Sequence, residues 1–303
     1  MSNRHFLQLL ATTRPSFLIL TPCCLSLAFA YAVQENITIN YLHAMMILIG
    51  ALSAHISVNM LNEYEDFTSG LDLHTQRTSF SGGSGTLPTL PELAKSVQKG
   101  ALISLLITMA IGVYFLYLRG LGLLPLGLLG ITSIFFYTNT ITHRPLLCLL
   151  VPGFAFGLLM INGAYFALTG YYSLSVFCSS LTVFFLVNNL LLLNQFPDRE
   201  ADKKVGRLHL PILIGRKRSA WVYSAFLAAA FILVVFDIAL KVLPVYSVLG
   251  LIPLLLAIPA ANIALQYFDD MEKLQTAMAL NVALTLATPV LMALGLFINR
   301  QFG

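Results

Sequence analysis

The chain has 303 residues, 58% of them hydrophobic and 10% charged, and its mean hydropathy is +0.83. Soluble domains carry roughly 25% charged residues, so this composition excludes a water-soluble globular protein and defines a polytopic membrane protein. The net charge of +4 follows from where Lys and Arg sit relative to a membrane and gives no reason to invoke nucleic acid.

A helix that crosses a bilayer needs about 20 mostly apolar residues. In chain order nine stretches qualify: 15–34, 41–62, 98–118, 121–138, 146–169, 173–196, 218–238, 244–267 and 275–298. They are too long for barrel strands and lack strict alternation. The expected fold is all-α, with nine transmembrane helices in one bundle forming a single domain over 1–303.

The first stretch has some features of a signal peptide, with Arg4 and Arg14 ahead of an apolar run and "AFAYA" at Ala28–Ala32. It reads as a retained helix, because the charged lead is long and the apolar run continues past Ala32. With the N-terminus in the cytoplasm, 14 of the 17 Lys and Arg residues fall inside and 3 outside, the asymmetry of the positive-inside rule. Nine spans then put the C-terminus outside. Cys23, Cys24, Cys148 and Cys178 lie in or beside apolar segments without metal-ligand spacing and read as packing residues.

Two connections are long and polar, from Glu63 to Ser96 and from Gln195 to Lys217. The first opens with "NEYEDFTSGLD" (Asn62–Asp72), which holds four acidic residues in a chain with only 13. The second opens with "NQFPDREADKKVG" (Asn194–Gly206). Asn62 and Asp66 are four apart, as are Asn194 and Asp198, and the two pairs are offset by 132 residues. Four spans fit in that step, so both motifs emerge on one side. The pattern suggests an internal duplication of a four-helix unit.

Asn194, Asp198 and Asp202 fall at i, i+4 and i+8 on a helix and so share one face. Carboxylates this close repel one another and stay ionised only beside cations. Oxygen donors without His or Cys suit a hard ion such as Mg²⁺, which binds through a few carboxylates plus substrate phosphates. Arg77, Arg144, Lys203, Lys204 and Arg207 share that side and suit phosphate oxygens, arginine bidentately. A diphosphate held above apolar helices implies a lipid-tailed diphosphate. Neutralising its charge lets an allylic C–O bond ionise, and an acceptor in a water-poor cavity captures the cation.

These motifs resemble those of the UbiA superfamily of intramembrane prenyltransferases. "YTNTITHRPL" (Tyr137–Leu146) is similar to the family's loop between the fourth and fifth helices. "FGLLMINGAYFALTG" (Phe156–Gly170) and "SGGSG" (Ser81–Gly85) are similar to the naphthoate branch. The resemblance runs from about Arg14 to the last helix. It implies nine helices around a central cavity in a bacterial inner membrane, with the active site open to the cytoplasm.

It also implies Mg²⁺-dependent transfer of an isoprenyl chain from a polyprenyl diphosphate to an acceptor, most like 1,4-dihydroxy-2-naphthoate. Other acceptors remain open: a hydroxybenzoate, a homogentisate-like ring, a haem or a glycerol phosphate lipid. Carried over residue by residue, Asn62, Asp66, Asn194, Asp198 and Asp202 match metal and diphosphate positions, with Asp66, Asp198 and Asp202 as the catalytic carboxylates. Asp72 matches a later first-motif acid and joins the metal set. Tyr137 and Arg144 fall where the family has diphosphate or substrate contacts, and Lys203 and Lys204 where it commonly has a basic–acidic pair; Arg77, by its charge on that side, joins them as a substrate-binding candidate. Glu63 stands where the family often has Asp, and His209 where it often has Thr.

Other polar residues divide between function and packing. Asn59 and His55 lie one and two turns before Asn62 and reach toward the cavity or glue helices together. Asn188 or Asn189, and Asn162 with Tyr165, are further substrate-contact candidates. His74, His143 and His209 lack zinc spacing. Asp269, Asp270 and Glu272 read as a solvated patch. The competing class, a transporter or cation channel, would place ionisable groups near mid-membrane, whereas here they sit at span ends. Oligomeric state is not legible.

Overall fold

The structure, a computed structural model, describes residues 3–302 apart from 74, 76, 77 and 79. Among the described residues it is all helical, with no strand. A short helix α1 (Asn3–Ala11) leads into α2 (Pro15–Gln34), α3 (Tyr41–Thr68), α4 (Pro91–Arg119), α5 (Leu121–Phe136), α6 (Pro145–Thr169), α7 (Leu174–Lys204), α8 (Arg216–Ala239), α9 (Val245–Gln266) and α10 (Met271–Phe302). Eight of these are long and apolar enough to cross a membrane, and the chain is an integral multi-pass membrane protein.

The stretch expected as a full span over 121–138 forms only the shorter α5, ending at Phe136. At 1.5 Å per residue it rises roughly 24 Å against a hydrocarbon core of about 30 Å. Its ends nevertheless lie at opposite ends of the bundle. In its first turn, the Gly122 carbonyl accepts from Tyr172 Oη (2.7 Å), beside the loop into α7. Just after its last turn, Thr138 Oγ1 donates to Asn62 Oδ1 (3.1 Å).

The helices pack in sequence order as a ring, and α10 closes on α2. Local chemistry sets the ends. Asn40 caps α3, its side chain accepting from the amides of Leu42 (2.9 Å) and His43 (3.2 Å). Gly170, at φ 89°, terminates α6 in the left-handed conformation. The α6–α7 crossing is close: a Cβ on Gly153 would lie 2.1 Å from the Phe184 carbonyl oxygen, and one on Gly157 2.6 Å from the Phe184 nitrogen. Only glycine permits that approach. From Phe154 to Met160, across Gly157, α6 widens into a π-helical segment, and the Gly153 amide just before it donates to Asn188 Oδ1 (2.6 Å).

Both polar connections are more helical than their composition suggests. The first motif sits on the last turns of α3, which runs on to Thr68, and the second on α7, which runs on through Pro197 to Lys204. The intervening loop is anchored by its own apolar cluster, in which Met60 of α3 packs with Leu87, Leu93, Val97 and Ala101. All four cysteines are free, with Cys24 and Cys148 buried, as packing residues should be.

Candidate active site

The ring encloses a cavity of about 570 Å³, lined mostly by apolar side chains of α2 to α7. Its polar rim carries Asn59, Asn62, Tyr137 and Asn194. The asparagines of both motifs therefore line the cavity, and Asp66 and Asp198 follow one turn further along α3 and α7.

Arg207 joins the two motifs. Its Nη2 donates to Asp66 Oδ1 and its Nη1 to Asp202 Oδ1 (3.1 Å), across 141 residues of chain in the first case. His209 Nε2 is 3.0 Å from Asp202 Oδ2. Burial works against the Arg207 charge, but Asp66 and Asp202 outweigh it and hold its pKa above the ordinary arginine value. The loop that carries Arg207 is fixed by backbone bonds from Arg207 N to Asp202 O (3.0 Å) and from Leu208 N to Thr142 O (3.1 Å). His209, in place of the family's frequent Thr, thus serves the same carboxylate.

Glu63 has a different environment from its motif neighbours. It is 1% exposed. Its Oε1 accepts from Arg14 Nε (2.9 Å), Arg14 Nη2 (2.7 Å) and the Ser84 amide (2.7 Å), and its Oε2 from Ser84 Oγ (2.7 Å). This carboxylate is committed to protein donors. Gly83 allows it: at φ +71°, a Cβ there would sit 3.0 Å from Glu63 Oε1. The "SGGSG" loop is thus shaped to close over Glu63. Arg14 itself holds φ 52°, rare for a residue with a side chain, and Asn59 Nδ2 secures that turn by donating to the Thr13 carbonyl (2.9 Å). Burial opposes the Arg14 charge, and Glu63, Asp66 and Asp72 more than offset it, so its pKa is raised.

The donor set near the rim is oxygen-only, as a hard divalent ion requires. Asp198 Oδ1 is buried with no hydrogen-bond partner among the described residues, an orphaned acceptor of the kind a cation would satisfy. No three His, Cys, Asp or Glu side chains among the described residues stand close enough to hold an ion together. Arg207 takes that place between Asp66 and Asp202. The residues fit a divalent ion in donor type, with Arg207 as the present counter-charge.

The other sequence candidates are dispersed. Asp72 lies in the 3₁₀ turn Leu71–Leu73 after α3 and contributes to the field at Arg14. Arg77 falls outside the described residues. Arg144, Lys203 and Lys204 are exposed, so they border the site without being built into it. Asn188 is fully buried against Gly153 and is absent from the cavity wall. Tyr165 donates to Glu35 Oε2, which Tyr171 Oη also reaches (2.8 Å), in a cluster near the start of α7 and away from the motifs. Asn189 donates to the Tyr223 carbonyl (2.9 Å) and Asn162 to Ser180 Oγ (3.1 Å), both as interhelical ties. Asp269 and Asp270 pair at the surface with Arg216 (3.3 Å) and Lys273 (3.2 Å). Arg14 and Ser84 are the residues that motif reading does not rank, and Arg207, expected among the phosphate-binding cations, proves to join the two motifs. The signal of the first two is faint: an arginine just before a span-starting proline and a serine among glycines.

The UbiA prenyltransferase family matches residues 19–284, and the chain belongs to that family. It is 30% identical over 203 residues to 1,4-dihydroxy-2-naphthoate octaprenyltransferase of Bacillus subtilis (strain 168); the match covers 66% of this chain and 63% of the relative. Its fold is similar to a UbiA homologue from Aeropyrum pernix K1 (TM-score 0.69, 18% identity, 91% of this chain and 97% of the other). It is also similar to digeranylgeranylglyceryl phosphate synthase (TM-score 0.68, 16% identity, 97% and 99%). A UbiA homologue from Archaeoglobus fulgidus, bound to DMAPP and Mg²⁺, gives a TM-score of 0.57 at 16% identity over 93% and 98% of the two chains.

Proposed function

We propose that the protein transfers an isoprenyl chain from an allylic polyprenyl diphosphate to an aromatic acceptor, 1,4-dihydroxy-2-naphthoate, with Mg²⁺, as a step in menaquinone biosynthesis. The observation that carries this reading is that Asp66 and Asp202, from two distant motifs, meet on one guanidinium, with Asp198 in their field, above an apolar cavity whose rim bears Asn62 and Asn194. A diphosphate belongs at the charged end and an isoprenyl tail in the cavity.

Asp66, Asp198, Asp202 and Asp72, with Asn62 and Asn194, would hold the ions. The chemistry supplied there is positive charge on the departing diphosphate. Arg207 is placed to add a bidentate contact to the same phosphates, and exposed Arg144, Lys203 and Lys204 draw the anion to the mouth. As the allylic C–O bond breaks, the apolar wall keeps water from capturing the cation. An acceptor ring carbon then forms the new C–C bond and loses its proton.

The same reading takes the short α5 as a ninth crossing. Its two ends contact opposite ends of the bundle, which supports a cytoplasmic N-terminus, an outward C-terminus and an active site open to the cytoplasm of a bacterial inner membrane. The matched motifs at 62–72 and 194–202 support descent from a duplicated four-helix unit.

The naphthoate acceptor rests on the Bacillus subtilis relative and on the branch-like "SGGSG". The test is incubation of purified protein with Mg²⁺, a radiolabelled polyprenyl diphosphate and, in turn, 1,4-dihydroxy-2-naphthoate, 4-hydroxybenzoate, homogentisate, haem and a glycerol phosphate lipid. A Mg²⁺-dependent product with the naphthoate is expected. Product with another acceptor alone would replace the acceptor, and none with any would reject prenyl transfer.

A further inference from the structure

His55 is a polar side chain in the apolar wall that the diphosphate chemistry leaves unused. It sits on α3 seven residues before Asn62, on the same face, and lines the cavity while only 6% exposed. Seven residues of helix lower it roughly 10 Å beneath the rim. Its ring packs edge-on against Phe156 of α6, centroids 4.7 Å apart.

Its hydrogen-bonding state can be worked out from one neighbour. His55 Nδ1 lies 2.9 Å from Thr21 Oγ1 of α2. Thr21 is fully buried, and among the described residues its hydroxyl has no other hydrogen-bond partner. Were Nδ1 the donor, the Thr21 hydroxyl proton would be buried without an acceptor, at a cost of about 1–3 kcal/mol. The satisfied arrangement has Thr21 donating to Nδ1. A neutral ring then carries its proton on Nε2. Nε2 has no partner in the described protein and belongs to a residue of the cavity wall. The result is a fixed N–H donor deep in an apolar cavity.

We propose that His55 Nε2–H binds a ring oxygen of the aromatic acceptor and so sets which acceptor fits. This inference rests on the prenyl-transfer reading of the same cavity. The acceptor ring then lies in the cavity between His55 and the rim, its bound oxygen toward His55 and its reacting carbon toward Asn62 and Asn194. Phe156, edge-on to His55, supplies an aromatic wall beside that ring. A buried donor discriminates strongly, since an acceptor without an oxygen at that depth leaves Nε2–H unpaired. Thr21 is a positioning residue that acts through Nδ1.

Equilibrium binding of 1,4-dihydroxy-2-naphthoate to purified protein without diphosphate, followed by ligand fluorescence, tests this apart from turnover. His55→Leu is expected to weaken binding at least tenfold and to raise the acceptor KM similarly, leaving the KM for the prenyl diphosphate within twofold. His55→Gln, which keeps an N–H donor, is expected to restore most of the affinity. Thr21→Val should fall between wild type and His55→Leu, while Thr21→Ser matches wild type. Unchanged binding in His55→Leu, or equal loss in His55→Leu and His55→Gln, would overturn the assignment. Failure of wild-type protein to make any prenylated product would instead overturn prenyl transfer.

Discussion

The two motif-bearing helix ends share a spacing and differ in how their charge is neutralised. At the end of α3, Glu63 is sealed by Arg14 from the N-terminal turn and by Ser84 from the glycine loop, leaving Asp66 to face the other motif. At the end of α7, Asp202 is held by its own following loop through Arg207 and His209, while Asp198 keeps a buried oxygen that has no partner among the described residues. Arg207 then reaches across to Asp66. Acids that look alike in sequence therefore have separate tasks. Glu63 fixes the loop and the N-terminal turn, Asp66 and Asp202 share one guanidinium, and Asp198 is the most open to a cation.

That comparison can be broken in stages. The largest effect is expected at the open acids: Asp198→Ala or Asp66→Ala should lower turnover by about 100-fold or more, with helix content unchanged by circular dichroism. An Asp198→Ala protein of normal activity would show that the orphaned oxygen has no role. Next is the bridging cation. Arg207→Met leaves two buried carboxylates without their partner, a loss on the order of 3–5 kcal/mol in stability without metal. Thermal melts should show a large fall in EDTA and a partial recovery in Mg²⁺; a melt equally low in both would mean that the ion does not replace the guanidinium.

Glu63→Gln comes third, because the amide keeps the shape but loses the charge opposite Arg14. A stability loss of about 1–3 kcal/mol and a smaller drop in turnover than for Asp66→Ala are expected, read by melts and initial rates on the same preparation. Loss of activity equal to Asp66→Ala would assign Glu63 to the catalytic set. The smallest effect is at the surface: Asp269→Ala should leave turnover within assay error, since its partner Arg216 also donates to the Phe196 carbonyl (3.0 Å).

Much of this arrangement is legible in the chain. The spans follow from apolar runs, and the motif pair from a repeated Asn–Asp interval in a protein poor in acids. The polar end of each helix is less legible: α3 and α7 run past their apolar stretches, because hydrogen-bonded turns continue through Glu, Asp and Lys without an apolar signal. Asn188 and Tyr165 show the limit of counting polar residues in spans. One accepts from the Gly153 amide beside the α6 π segment, and the other serves Glu35; neither need is visible before the helices are packed.

The sequence by itself determined that the protein is a helical membrane bundle with two acidic motifs, since hydropathy and spacing are local properties. Only the tertiary structure decided which carboxylate answers to which cation. Arg14 meets Glu63 across 49 residues and Arg207 meets Asp66 across 141, and such pairings are chosen by which loops fold over the cavity mouth. A buried charge must find its partner in space, and space is not ordered as the chain is.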